Sequence, residues 1–324
     1  MHILILGGGG FLGQKLAAQL VVQKTINVQG SPGNITSIQL LDKYWPVQPV
    51  EHPLLEYTTG DITDEEIILE ALQRLPDVIF HLAAVVSGEA EKNFDLGLQV
   101  NLLANLRLLE RIRTLKKVPV LVFSSTCAAF GGDPAATVLD DTMPWPQSSY
   151  GTQKVMTEYL ISDYSRRGWV HGRSLRLPTI AVRPGKPNAA TSSFVSSMIR
   201  EPLQGLRASC PVSDNVYVWI LSPNKVIYNL IHAAALTNKR LGYRRMINLP
   251  GQTVQIRQWV AALDKIAGYA ASAFIDWTPD EFIQKIVLTW PPFFDTSLAE
   301  KLGFQKDERI EDIIQAFVTD ELRH

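Results

Sequence analysis

The sequence predicts a doubly wound α/β fold of Rossmann type, a parallel sheet with helices on both faces, joined to a smaller carboxyl-terminal lobe. Three observations predict it. A continuous apolar run opens the chain, a glycine-spaced turn follows directly, and strand-like and helix-like segments then alternate to about residue 180.

The run His2-Ile3-Leu4-Ile5-Leu6 suits a strand buried on both faces. Gly7, Gly10 and Gly13 then give a Gly-x-x-Gly-x-x-Gly spacing, and Leu16, Leu20 and Val21 continue at helical intervals. Glycine is needed where a chain turns tightly, approaches a pyrophosphate and packs its helix on the sheet. Phe11 and Leu12 lie at the helix start, whose exposed amides bind the anion. A second apolar strand, Ile38-Gln39-Leu40-Leu41, ends on Asp42. A carboxylate there accepts both adenosine ribose hydroxyls and repels a 2′-phosphate, which selects NAD over NADP. The interval from Gly13 to Asp42 exceeds the usual ~20 residues, and the polar stretch 27–36 is expected to loop out the excess. Asp61 and Ile62 close another short strand. Asp61 either faces the adenine amino group or serves as a turn or N-cap carboxylate.

Further strand-like runs cover 78–81, 118–124 and 173–177, and long helical patterns cover 92–115 and 149–166. Beyond Arg183 the alternation loosens into Pro, Ser and Asn clusters. Residues 1–180 are therefore expected to form an NAD-binding unit. Residues 181–324 are expected to form mainly a substrate-binding cap over the carboxyl edge of the sheet, with helices such as 223–237 packing back on the first unit.

Hydrophobic residues make up 46% of the 324, ample for a core, and the net charge of −1 argues against a nucleic-acid or membrane-surface role. No apolar run reaches the ~18 residues of a membrane span, and the start lacks a basic-then-apolar leader. The two cysteines, Cys127 and Cys210, and the six histidines show no pairing or ligand spacing. These features predict a cytoplasmic, metal-free protein acting on a small molecule.

Tyr150 and Lys154 carry the chemistry. Four residues along a helix puts both on one face. A free tyrosine titrates near ~10. An ammonium ~4 Å away at an effective dielectric of ~20 is worth about 4 kcal/mol, which predicts a phenol acidified by roughly three pKa units.

These stretches together resemble the extended short-chain dehydrogenase/reductase family over nearly the whole chain. The resemblance is carried by Gly7 to Gly13, Leu41-Asp42, Gly60-Asp61-Ile62, His81-Leu82-Ala83-Ala84, Phe123-Ser124-Ser125-Thr126, Tyr150 to Lys154 and Arg176-Leu177-Pro178. Phe294-Asp295-Thr296-Ser297 and Leu302-Gly303-Phe304 also match it. The resemblance implies that Tyr150 is the catalytic acid/base and that Lys154 lowers its pKa while holding the nicotinamide ribose. It further implies that Thr126, with Ser125 beside it, bonds the reacting oxygen. Leu82, Ala83, Ala84, Ile62, Asp61 and Pro178 would line the cofactor, and a homodimer would form through the helices at 92–115 and 149–166.

Within the family the chain departs from nucleotide-sugar epimerases, which usually carry a tyrosine shortly before the position of Asn101. Segments 86–91 and 126–131 are similar to L-threonine dehydrogenases and more so to D-erythronate dehydrogenases, as are 183–188 and 200–203. Asn224 departs from that group, where a basic residue is expected.

On the substrate side, Ser87 and Glu89 follow the fourth strand and either lie over the nicotinamide or cap the next helix. Arg183 either grips a substrate carboxylate through two parallel donors or forms a surface salt bridge, and Lys186 has a weaker version of the same case. His81 reads as a core histidine. Asn101 either supports Lys154 or is a structural mid-helix amide. The expected activity is NAD-dependent oxidation of a small, D-erythronate-like 2-hydroxy carboxylate to the 2-oxo acid. Its rivals are a nucleotide-sugar epimerase or dehydratase with tightly bound NAD, and a non-catalytic dinucleotide sensor.

Overall fold

A computed structural model describes residues 1–132, 137–185 and 190–322. Its centre is a seven-stranded parallel sheet. From one edge the strands are Met246–Asn248, His171–Leu177, Val120–Thr126, Val78–His81, His2–Leu6, Ser37–Asp42 and Leu55–Thr59. Strand order reverses between His2–Leu6 and Val78–His81, and the crevice at that switch point is where dinucleotides bind in such folds. Ile3, Leu4, Ile5 and Leu6 are wholly buried. Each contributes about 1.5–3 kcal/mol of hydrophobic stabilisation, and helices on both faces make that burial possible.

One face packs the helices Phe11–Gln23 and Pro223–Ala235 through Leu16, Leu20, Val226 and Leu230. The other packs Glu65–Leu72, Ala104–Ile112 and Ser149–Arg166 through Ile68, Leu108 and Ile161. A separate core lies in the carboxyl half, where Val195, Met198, Ile220, Trp259 and Ile313 meet. It joins the helices Ser193–Arg200, Ile256–Ala267 and Ile310–Phe317 to a small sheet of Gln252–Gln255, Tyr217–Leu221 and Thr179–Ile180.

Two expectations are corrected. The stretch 27–36 is not an open loop. Thr25–Val28 and Ser31–Asn34 pair antiparallel across Gln29 (φ 52°) and Gly30 (φ 84°), the paired positive φ of a tight two-residue hairpin turn. The helix expected at 92–115 is interrupted as well, running as Phe94–Leu98, one π-helical turn Gln99–Leu103, and Ala104–Ile112. Single π-turns inside α-helices are rare, so a helical pattern is read as uninterrupted by default.

Candidate active site

The glycine turn is tight because its neighbours are backbone. Gly7 has φ 84°, and a Cβ there would lie 2.6 Å from the Ala83 nitrogen. A Cβ on Gly13 would lie 2.3 Å from the Gly7 carbonyl oxygen, whereas one on Gly10 would meet nothing closer than 3.4 Å. The turn is thus closed toward the sheet and open at the start of helix Phe11–Gln23, where Phe11 and Leu12 present first-turn amides. Leu82 and Ala83 donate backbone N–H bonds to the Leu6 carbonyl, which fixes the parallel wall of the crevice beside Ala84. Asp42 accepts from Gly9 N–H at 3.0 Å and from Tyr44 N–H at 3.3 Å. Gly9 was not singled out by spacing, yet a Cβ there would lie 2.6 Å from the Tyr44 carbonyl oxygen. A glycine cradle with a carboxylate at the end of the second strand fits a dinucleotide without a 2′-phosphate.

Asp61 takes its turn role. Its Oδ1 accepts from Thr63 N–H and Oγ1, and its Oδ2 pairs with Lys43 Nζ at 3.0 Å. Burial would raise its pKa, but the Thr63 and Lys43 contacts outweigh that and hold it low. Asp64 is the N-cap of the following helix, and Ile62 packs into the core below.

Ser148 caps the helix Ser149–Arg166 by accepting from Gly151 N–H at 3.1 Å, which puts Tyr150 in the first turn. Gly151 lets this turn approach closely, since a Cβ there would lie 2.3 Å from the Ala128 carbonyl oxygen. Thr126 Oγ1 accepts from Ala128 N–H at 3.0 Å, and its side chain lies on the same cavity wall as Tyr150 and favours the ionised phenol. Lys154 lies one turn along, buried, with Nζ donating to the Ser124 carbonyl at 2.9 Å.

The expected acidification of Tyr150 by Lys154 is corrected. The ammonium sits 5.7 Å from the Tyr150 ring centroid and 4.5 Å from that of Phe123. Burial pushes the Tyr150 phenol up to about 12, with Cys127 adding to the rise, while the Thr126 side chain and the Arg183 charge pull against them. Burial also brings Lys154 down to about 7, opposed by Glu158. Stripping water from both groups disfavours both charged forms and outweighs the attraction between them. Arg183 is one cation that pulls the phenol down.

Tyr150, Thr126, Ser125, Ser87, Pro178 and Arg183 all line one cavity of about 440 Å³. Arg183 Nη2 donates to Ser192 Oγ at 3.2 Å, and among the described residues no carboxylate pairs with it. Burial lowers its pKa, Arg200 lowers it further, and Tyr150 raises it. Lys186 lies outside the described residues. Glu89 is not on the cavity wall; Glu91 is. The two are separated by two positions on the helix Ser87–Lys92, and so face nearly opposite sides. Glu91 also accepts from Ser149 N–H, bracing the Tyr150 turn. Ile286 and Trp290 close the cavity from the carboxyl half, a contribution that no local pattern announces.

Asn101 braces the loop after the strand Val78–His81, and among the described residues no hydrogen bond joins it to Lys154. Its side chain exchanges two bonds with the Val85 backbone, at 2.9 and 3.0 Å, and its carbonyl accepts from Thr157 Oγ1. His81 is buried, and burial lowers its pKa to about 3. Asn224 lies in a different groove, of about 800 Å³, between the helices Phe11–Gln23 and Pro223–Ala235, where it donates to Asp320. It has no place in the cavity that holds Tyr150.

The chain is 46% identical over 320 residues to D-erythronate dehydrogenase of Cupriavidus necator, covering 99% of this chain and 98% of that one. It is 44% identical over 325 residues to D-erythronate dehydrogenase of Haemophilus influenzae, covering 98% and 99%. The crystal structure of a nucleoside-diphosphate-sugar epimerase from Agrobacterium tumefaciens superposes with a TM-score of 0.93 at 38% identity, covering 99% and 94%. No helix among the described residues is long and apolar enough to cross a membrane. With residues 3–273 matching its model, the chain belongs to the NAD dependent epimerase/dehydratase family.

Proposed function

We propose that this chain is an NAD-dependent dehydrogenase that oxidises the 2-hydroxyl of a small D-erythronate-like carboxylate to the 2-oxo acid. One observation carries the reading: a largely buried guanidinium, Arg183, shares a small cavity with Tyr150 and Thr126 and has no carboxylate partner among the described residues. A buried cation costs several kcal/mol unless it is paired, and a substrate carboxylate is the matching counter-ion, able to take two parallel donors. The two D-erythronate dehydrogenases named above support the same substrate class.

In this reading residues 1–180 bind NAD and residues 181–324 mainly form the substrate cap. Bound NAD would supply the hydride acceptor. Arg183 and Thr126 orient the acid so that its 2-hydroxyl meets the Tyr150 oxygen, and Thr126 hydrogen-bonds the same oxygen as charge develops. Tyr150 takes the hydroxyl proton. Lys154 holds the nicotinamide ribose, and Ser87 bounds the remaining hydroxyls, while the buried Ser125 hydroxyl donates to Glu158 and braces the strand behind Thr126. We place the homodimer contact on the helices Phe94–Leu98, Ala104–Ile112 and Ser149–Arg166, which expose Phe94, Leu106, Met156 and Tyr159.

The test is Arg183→Ala. Losing one or two charge-assisted bonds should cost about 2–4 kcal/mol, roughly thirty- to thousandfold in kcat/KM for the acid. The loss should shrink for an analogue whose carboxylate is replaced by an uncharged group. Unchanged efficiency on the best hydroxy acid would overturn the assignment.

A second reading, nucleotide-sugar epimerisation, is favoured by the Agrobacterium tumefaciens epimerase. It predicts NAD that co-purifies with the protein and no net NADH. Against it stands the missing tyrosine before Asn101, where the stretch reads Asn93-Phe94-Asp95-Leu96-Gly97-Leu98.

A further inference from the structure

Arg183 is held at three points by one helix face. Its Nη2 donates to Ser192 Oγ at 3.2 Å, its backbone N–H donates to Ser196 Oγ at 3.1 Å, and its carbonyl accepts from Arg200 Nη1 at 2.7 Å. Ser192 is the N-cap of the helix Ser193–Arg200, and the three contacts recur every fourth residue, one per turn. The same helix is locked into the second core by Val195, Met198 and Ile199, and Trp259 Nε1 donates to the Val195 carbonyl at 2.9 Å. Ser196 and Arg200 are almost fully buried, at 1% and 5% exposure. The charge of Arg200 is matched by Glu201, whose Oε1 accepts from its Nη2 at 2.6 Å, so Arg200 is committed to that carboxylate and to the Arg183 carbonyl.

We propose that Ser192, Ser196 and Arg200 form a positioning ladder that sets the substrate-carboxylate clamp and thereby the preference for a charged over a neutral substrate. This rests on the reading of Arg183 as the carboxylate receptor. A long arginine side chain loses much rotamer freedom when it binds. Fixing both the backbone and the guanidinium beforehand removes that cost from the binding step, which is how preorganised sites gain affinity. Ser192 orients the guanidinium plane, because its hydroxyl takes one Nη hydrogen and leaves the other donors for the ligand. Ser196 and Arg200 fix the backbone from which the side chain springs.

The experiment compares the best hydroxy acid with its primary amide in the full-length enzyme carrying Ser192→Ala, Ser196→Ala, Arg200→Lys or Arg183→Ala. Steady-state kinetics are read alongside NAD binding and thermal melting. Ser192→Ala and Ser196→Ala should each lower the acid-over-amide ratio of kcat/KM by about three- to tenfold, the value of one lost hydrogen bond. The loss should appear in KM for the acid, with NAD binding retained. Arg200→Lys keeps a charge for Glu201 and a donor for the Arg183 carbonyl, and should lose less than Arg200→Gln, made alongside it, which loses the charge. Ser192 is partly exposed, so its variant folds even where Arg200→Gln melts early. A mere structural brace would shift melting and leave the ratio alone. If Arg183→Ala collapses the ratio while both serine variants keep it within about twofold of wild type, the ladder is overturned and the clamp stands. If Arg183→Ala leaves the ratio intact, the clamp itself falls, and the ladder with it.

Discussion

At the nucleotide end of the cleft, Gly7, Gly9 and Gly13 meet their neighbours through backbone atoms within 2.3–2.6 Å of where a Cβ would stand. At the substrate end, Arg183 and Tyr150 depend on side chains and backbone groups drawn from two separate cores. The first construction tolerates almost no atom added and is encoded within a few residues of chain. The second is assembled from segments far apart in sequence and can be retuned one hydrogen bond at a time. A common cofactor and a variable substrate call for that division.

The comparison can be pressed hardest at Tyr150. Tyr150→Phe removes the titrating oxygen and little packing, so turnover should fall by about 10²–10⁴-fold while NAD binding, read by titration, stays nearly intact. A variant keeping a tenth of wild-type kcat would exclude Tyr150 as the base. The pH profile sharpens the same point. The phenol of the free protein is pushed up to about 12, so the active phenolate grows as pH rises. Oxidation kcat/KM should therefore climb through the alkaline range. Lys154, brought down to about 7, loses its proton as pH rises through neutrality, so a rate governed by its charge would fall there, well below the range in which the phenolate grows.

Cofactor choice tests the backbone side. A 2′-phosphate would meet the charge of Asp42 and lose ribose bonds worth roughly 1–3 kcal/mol each. NAD should then exceed NADP by one to several orders of magnitude in kcat/KM. Equal efficiency would place Asp42 away from the ribose. A smaller effect separates the two constructions directly. Gly13→Ala places a methyl 2.3 Å from the Gly7 carbonyl oxygen, an overpacking that should cost about 1–3 kcal/mol of stability in thermal or urea melts and weaken NAD binding. An alanine at Gly13 that melts like wild type would mean that the turn relaxes freely.

Much of this was legible in the chain. The strands His2–Leu6 and Ser37–Asp42 were visible because burial on both faces leaves an unbroken apolar run, and Ser149–Arg166 because it is long and capped. The hairpin at 25–34 was not, since Ser31-Pro32-Gly33-Asn34 carries little strand propensity and pairs only because Gln29 and Gly30 turn the chain. Nor was Met246–Asn248, a three-residue strand from the carboxyl half that completes the sheet beside His171–Leu177. The elevated phenol of Tyr150 was hidden for a different reason. Spacing reports which groups share a helix face, but desolvation depends on everything packed around them. The contacts of Arg183 were hidden too, because Ser192, Ser196 and Arg200 read as ordinary positions of an amphipathic helix until that helix is docked.

The most direct measurement is net NADH formation by the purified enzyme with NAD against D-erythronate, other small hydroxy acids, threonine and UDP-sugars. The account predicts continuous NADH production with a 2-hydroxy carboxylate of the D-erythronate type, matched mole for mole by a 2-oxo acid, and little turnover of UDP-sugars. Robust epimerisation of a UDP-sugar with no net NADH from any hydroxy acid would contradict it.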